Sequence, residues 1–110
     1  MKLVNVADIE ALGLPLYDMR KIFNVNGDFS TADISFITIM PGQRVPQGDG
    51  WSLHDSDEYS IFISGEVYTK SGDFDGVAGK GQATFIPKGE KHWCENRTNE
   101  PCTLVCVMLK

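Results

Sequence analysis

The segment GQATFIPKGEKHWCEN, residues 81–96, constrains the fold of this chain more than any other stretch. It reads Gly-x5-Pro-x-Gly-x2-His-x3-Asn, with a Pro-Lys-Gly turn at its centre and short apolar runs on both sides. Apolar runs bounded by glycine and proline are typical of short strands. The segment therefore predicts two strands joined by a turn, with His92 in the second strand just after the turn.

A second segment, HDSDEYSIFISG at residues 54–65, carries a histidine and a carboxylate, His54 and Glu58. On one straight strand their Cα atoms would be roughly 13 Å apart, too far to bind one metal ion. A helix would bring them together, but the run after Glu58 is of β type and the Asp-Ser-Asp between them favours a turn. We therefore expect the chain to fold back between them, so that His54, Glu58 and His92 converge from three neighbouring strand ends.

These two segments resemble the two signature motifs of the cupin superfamily, which are small metal-binding β-barrels. The resemblance spans roughly residues 41–96 and implies an all-β fold: a single-domain cupin-type β-barrel (double-stranded β-helix, or jelly roll) over residues 1–110, with a short irregular lead-in at 1–18. The matching residues are His54, Glu58 and Gly65 in the first motif, and Gly81, Pro87, Gly89, His92 and Asn96 in the second.

The resemblance implies a metal site built from His54, Glu58 and His92. Two histidines and one carboxylate suit a divalent transition metal such as Fe, Mn, Ni, Co or Zn, and ligand type alone does not choose between them. The first histidine of the cupin His-x-His pair is missing: one alignment puts Ser52 at its position and another puts Gly48 there. Three outcomes remain open: a three-ligand site completed by water, a weak fourth ligand from Gln47 or Ser52, or a cavity without metal.

Three further residues are expected to line a substrate pocket. Phe62 shares the strand face of Glu58, and Cys94 shares that of His92. Cys94 is interpreted as a small buried filler, with an oxidation-sensitive thiol beside the metal as the alternative. Trp51 lies on a glycine-rich loop and is interpreted as a lid over the substrate or as a dimer contact. The nearby cations that a substrate carboxylate would meet are Arg44, Lys88 and Lys91.

The rest of the chain reads as short strands, which favours a barrel or sandwich. Residues 71–81 are glycine-rich and read as a turn region. The expected strands are residues 19–25, 32–40, 51–54, 58–64, 65–70, 83–86, 90–95 and 103–109.

The charge composition of the chain limits the classes of partner that it can bind. The net charge of −5 and the pI of about 4.8 argue against nucleic acid and against an anionic membrane. The opening residues lack a continuous apolar stretch of the kind found in signal peptides, and three cysteines cannot all pair within one chain. A cytoplasmic location with reduced thiols is expected.

Two functions are therefore expected as alternatives. The first is a metal-dependent lyase, isomerase or dioxygenase that acts on a small polar metabolite such as a hydroxy acid, keto acid or sugar acid; no catalytic acid or base can be named. The second is a barrel that binds or senses a sugar or small acid without turnover. The isoleucine-rich strand near residues 34–40 has an apolar outward face that the barrel core does not need to bury. This face is expected to contact a second subunit, which predicts a homodimer.

Overall fold

The computed structural model describes all 110 residues. Nine strands account for nearly all of the regular structure, and the one helical element is a short 3-10 turn at Val6–Asp8. No helix of the chain is long and apolar enough to cross a membrane. The strands are β1 (Lys2–Asn5), β2 (Ala32–Ile39), β3 (Arg44–Val45), β4 (Asp57–Ser64), β5 (Glu66–Ser71), β6 (Phe74–Gly79), β7 (Gln82–Ile86), β8 (His92–Glu95) and β9 (Cys102–Leu109).

The strands form two antiparallel sheets. One has five strands in the order β1-β7-β4-β9-β2, and the other has four in the order β3-β8-β5-β6. Apart from β5 and β6, neighbouring strands in each sheet are not consecutive in the chain, as expected of a jelly roll. The predicted all-β fold is confirmed.

The core lies between the two sheets and follows the period of two along each strand. In β9, for example, Cys102, Leu104 and Cys106 are buried while the residues between them are partly exposed. Gly65 joins β4 to β5 at a φ of 70°, and a Cβ there would lie 2.3 Å from the carbonyl oxygen of Pro101. The glycine of the first motif is therefore required by both backbone conformation and packing.

The N-terminal third of the chain differs from the expectation. Residues 19–25 are not a strand; this segment lies over the outer face of the five-stranded sheet, where the Phe23 ring packs 5.5 Å from Tyr59 and 6.3 Å from Phe85. Its apolar residues are thus used to cover a sheet rather than to extend one. The lead-in at 1–18 was expected to be irregular, yet it begins with β1, which pairs with β7.

Residues 71–81 are the second difference, because the glycine-rich stretch contains a full strand, β6, paired with β5. Only Gly72 and Asp73 form the hairpin turn, since Ser71 and Phe74 are already paired. Gly79 is a strand residue whose missing side chain allows close packing: a Cβ there would lie 2.7 Å from the Gly65 carbonyl oxygen. Of residues 51–54, only Ser52 forms a β-bridge.

Candidate metal centre

Two turns at one end of the sandwich are hydrogen-bonded to each other and bring the candidate ligands together. The amide of Gly89 donates to the carbonyl of His54 at 3.0 Å. The amide of Lys88 donates to the carboxylate of Asp57 at 2.9 Å. The turn that carries His54 is therefore fixed against the turn that precedes His92.

His92 is held by its backbone and by its ring. Its amide and carbonyl exchange hydrogen bonds of 3.0 and 2.7 Å with Ser52, so the two residues stand opposite each other. The ring nitrogen Nδ1 lies 3.0 Å from the carbonyl oxygen of Glu90, and since a carbonyl only accepts, Nδ1 is the donor. Nε2 is then left free to bind a metal, an arrangement usual for metal-binding histidines.

Glu58 comes from the opposite sheet, near the start of β4 and between β7 and β9. It shares the inward face of the buried residues Ser60 and Phe62. One carboxylate oxygen lies 3.8 Å from Nε2 of His54, and the other lies 3.9 Å from Nε2 of His92. The two imidazole rings are 5.0 Å apart between centroids.

These three side chains form a group that could hold a metal ion, since their donor atoms all lie within 4.8 Å of one another. Two donors on one ion are at most about 4.4 Å apart, because each bond is about 2.0–2.2 Å long. Small rotations therefore suffice to close the set around an ion. His54 is the most exposed of the three ligands, with 36% of its side chain accessible against 15% for Glu58 and 12% for His92.

A narrow cavity of about 60 Å³ leads from Glu58 and His92 into the core. Both Phe62 and Cys94 line it, as the strand faces predicted. The other lining residues are Met1, Ile39, Ser60, Val67, Thr69, Ala78, Thr84, Ile86 and Leu104. The sequence analysis did not identify Thr84, which stands opposite Ser60 in the β4–β7 pair.

Trp51 does not line this cavity. Its ring is half-exposed and packs edge-on against Trp93 at 6.3 Å, on the outer face of the four-stranded sheet. Trp93 alternates with the inward-facing His92 and Cys94, so its ring points away from the metal centre. The structure thus places Trp51 outside this cavity, and its expected role as a lid or as a dimer contact stays a prediction.

The two candidate extra ligands are separated by the fold. Gln47 lies on an exposed loop and lines a different groove, together with Gly48 and residues of β2. Ser52 stands beside the metal centre, opposite His92. Of the two, only Ser52 is placed near the three candidate ligands.

The three cations that were candidates for a substrate carboxylate also lie outside the cavity. The guanidinium of Arg44 stacks on Trp93, 4.6 Å from the ring centroid. Lys88 pairs with Asp55 at 3.7 Å, and Lys91 is exposed.

All three thiols are free and protonated at neutral pH. Burial raises the pKa of Cys94 to about 12, and the nearby Cys102 and Glu58 add to this. Burial likewise raises the pKa of Cys102 and Cys106 to about 11. A protonated thiol is a poor nucleophile, so the interpretation of Cys94 as a buried filler is favoured over that of a reactive thiol.

Asn96, the last residue of the second motif, has a structural role. It is fully buried, and its amide nitrogen donates to the carbonyls of Ile39 at 2.9 Å and Glu100 at 2.7 Å. Its oxygen accepts from the amide and the hydroxyl of Thr98. The side chain thus joins the end of β2 to the loop before β9.

Residues 35–108 match the family model described as the cupin domain, and this chain therefore belongs to the cupin family. Among solved structures it is similar to the TT1209 protein from Thermus thermophilus, with 27% identity and a TM-score of 0.58 over 67% of this chain and 68% of that one. No curated protein sequence matches the chain.

Two further structures share the fold. A predicted oxalate decarboxylase from Thermotoga maritima is 23% identical, with a TM-score of 0.61 over 69% of this chain and 64% of that one. A sugar phosphate isomerase of the cupin superfamily from Silicibacter pomeroyi is 19% identical, with a TM-score of 0.61 over 74% of this chain and 52% of that one. The present chain spans less than two thirds of either protein, and at these identities the likeness concerns the fold alone.

Proposed function

We propose that this cupin binds one divalent transition metal through His54, Glu58 and His92 and is a metal-dependent enzyme of the lyase, isomerase or dioxygenase type. Its substrate is a small polar metabolite that enters the cavity beside Glu58 and His92. A metal bound there would act as a Lewis acid and as a template for the substrate. Iron, manganese, nickel, cobalt and zinc all suit this ligand set.

The observation that carries this proposal is the convergence of the three donor side chains, two of which, Glu58 and His92, line the cavity. They come from a turn, from β4 and from β8, and two carboxylate oxygens face two imidazole nitrogens at 3.8 and 3.9 Å. Three protein ligands leave coordination positions open for substrate, as in catalytic metal sites generally. The Nδ1 hydrogen bond from His92 to Glu90 supports the same orientation.

Metal analysis tests the proposal. The chain, purified without added metal and then titrated with Co(II), should bind one ion per chain. His54→Ala and His92→Ala should each weaken binding by a hundredfold or more, because one of three ligands is lost, and Glu58→Gln should act in the same direction. Asp55→Asn is the matched control: Asp55 adjoins His54 but is exposed and pairs with Lys88 and Lys110. Binding that survives in both histidine variants would overturn the proposal.

A non-catalytic barrel that binds or senses a small sugar or acid is the second candidate. One observation favours it: apart from the metal donors Glu58 and His92, the ionisable side chain that lines the cavity is Cys94, which is protonated. General acid–base catalysis would then depend on the metal or on a donor residue. Reversible ligand binding with no change in the ligand over hours would favour this candidate.

We further propose that two copies pair through the outer face of β2, and that the dimer is cytoplasmic. The side chains of Ile34 and Phe36 are 75% and 66% exposed. They face outward because they pair with Val107 and Val105, which alternate with the buried residues of β9. An exposed apolar edge strand is a surface that proteins commonly cover.

A further inference from the structure

The cavity beyond the candidate metal centre limits the size of the ligand. Its volume is about 60 Å³, whereas ordinary ligand pockets measure about 300–1,000 Å³. This is room for a few water-sized groups. The part of a ligand that extends past the metal therefore contains only one or two non-hydrogen groups.

The wall of the cavity also limits the charge of the portion of the ligand that extends past the metal. No lysine or arginine lines it. Met1 borders the cavity, but its amino group is already paired with Glu90. An anionic group placed there would be desolvated with no partner, which is costly. The cavity therefore disfavours a second carboxylate or a phosphate.

The wall does offer hydroxyl groups, and that of Thr84 makes no side-chain hydrogen bond within the protein. The hydroxyl of Thr69 donates to the carbonyl of Trp93 at 3.0 Å, and Ser60 stands opposite Cys106 in the β4–β9 pair, so that its side chain lies beside the Cys106 thiol. Thr84 is 3% exposed and makes no side-chain hydrogen bond, although no fully enclosed side-chain oxygen in this protein lacks a partner. Its hydroxyl oxygen must therefore border the open volume of the cavity.

We propose that the ligand is a short hydroxylated monocarboxylic acid whose carboxylate and 2-hydroxyl groups bind the metal and whose terminal, uncharged hydroxyl hydrogen-bonds to Thr84. Thr84 is then a specificity-determining residue. This inference rests on the metal-binding function proposed above. It assigns the metal end of the ligand to His54, Glu58 and His92, and the inner end to the hydroxyl-bearing wall.

The proposed ligand class is tested by measuring the affinity of three matched 2-hydroxy acids for the Co(II)-loaded protein. Visible absorption of the Co(II) ion reports their binding. Glycerate ends in a hydroxymethyl group, lactate in a methyl group and malate in a second carboxylate. Glycerate should bind about tenfold more tightly than lactate, which lacks one hydrogen-bonding group. Malate should bind at least tenfold more weakly than lactate, because its second carboxylate would be buried without a partner.

Two isosteric variants test whether Thr84 causes the preference for glycerate over lactate. Thr84→Val should abolish the preference for glycerate over lactate while leaving Co(II) affinity unchanged. Thr69→Val is the matched control, because Thr69 lines the same cavity but its hydroxyl is occupied by the Trp93 carbonyl; it should retain the preference. If Thr84→Val does not fold, Thr84→Ser, which keeps the hydroxyl, should retain the preference and Thr84→Ala should lose it.

The outcomes separate the two proposals. Failure to bind Co(II) through the two histidines overturns the proposed function and this inference together. Normal Co(II) binding with equal affinity for the three acids, or with an undiminished glycerate preference in Thr84→Val, overturns this inference and leaves the metal site standing.

Discussion

Ser52 and His92 stand directly opposite each other and exchange two backbone hydrogen bonds of 2.7 and 3.0 Å. Directly opposed residues on antiparallel strands point to the same side, with Cβ atoms about 4.5–5.5 Å apart. The small side chain of Ser52 thus stands beside the imidazole of a candidate metal ligand. Gly48, the other candidate for the missing histidine of the motif, lies on the exposed loop that borders a separate groove.

This relationship predicts that Ser52→His strengthens the metal site. The new imidazole would project beside His92 and fill an open coordination position, so Co(II) affinity should rise by tenfold or more. Gly48→His is the matched comparison and should leave affinity unchanged, since its backbone φ of 85° and its loop position direct it elsewhere. Isothermal titration of the three proteins measures the difference; equal affinities in all three would contradict the expected geometry.

A second prediction concerns Asn96 and stability. Asn96→Asp removes the two donors that now bond the carbonyls of Ile39 and Glu100, and it buries a carboxylate beside them. The free energy of unfolding should fall by about 2–4 kcal/mol, since an unsatisfied buried polar group costs about 1–3 kcal/mol. Urea unfolding measures this loss. Asn99→Asp is the control, because Asn99 is exposed, and a similar loss there would count against the assigned role.

The thiols predict a specific dependence of stability on pH. Burial raises the pKa of Cys94 to about 12 and that of Cys102 and Cys106 to about 11, from an unfolded value of 9.0. Between pH 9 and 11 the unfolded chain therefore binds fewer protons than the folded one. The free energy of unfolding should be unaffected below pH 8 and should fall as the pH rises above 9, by up to about 1.4 kcal/mol per pH unit for each thiol.

Urea unfolding at pH 7, 8, 9 and 10 measures this slope. In Cys94→Ala the decline between pH 9 and 10 should be shallower than in the wild type, whatever the variant's stability at pH 7. A slope that is unchanged in the variant would show that other groups dominate the alkaline titration. Thiol alkylation at pH 8 should likewise be slow in the folded protein and fast in urea.

The proposed dimer gives a fourth prediction. Light scattering at micromolar concentration should report twice the chain mass of 12.2 kDa. Phe36→Lys places a charge on the exposed apolar face of β2 and should shift the mass to that of a monomer. Val77→Lys is the control, because Val77 is 49% exposed on β6 of the other sheet, and it should remain a dimer. A wild-type monomer would refute the pairing.

Much of the candidate site could be predicted from the sequence because the residues that indicate it lie close together in the chain. Glycine and proline mark the turn before His92, and the Asp-Ser-Asp turn separates His54 from the strand that begins near Glu58. Period-two alternation then placed Phe62 and Cys94 on the inward faces, where the structure has them. Each of these inferences depends on residues close together in the chain.

The rest depends on contacts that are distant in sequence. Trp51 packs on Trp93 rather than over the cavity, and Thr84 enters the cavity wall because β7 pairs with β4 in one particular register. The strand β6 was missed because glycine usually indicates a turn, whereas Gly79 here allows close packing against neighbouring backbone. None of these relationships has a local signal in the residues concerned.

The exposure of His54 has a consequence for how a metal ion would reach the candidate site. Its side chain lies at the solvent end of the donor set, and the hydrogen bond that anchors its turn uses the backbone carbonyl and leaves the ring free. The imidazole can therefore turn outward and back without breaking a strand. An ion held this way would have one of its three protein ligands open to solvent, so a chelator or a competing ion could approach it from the side of His54.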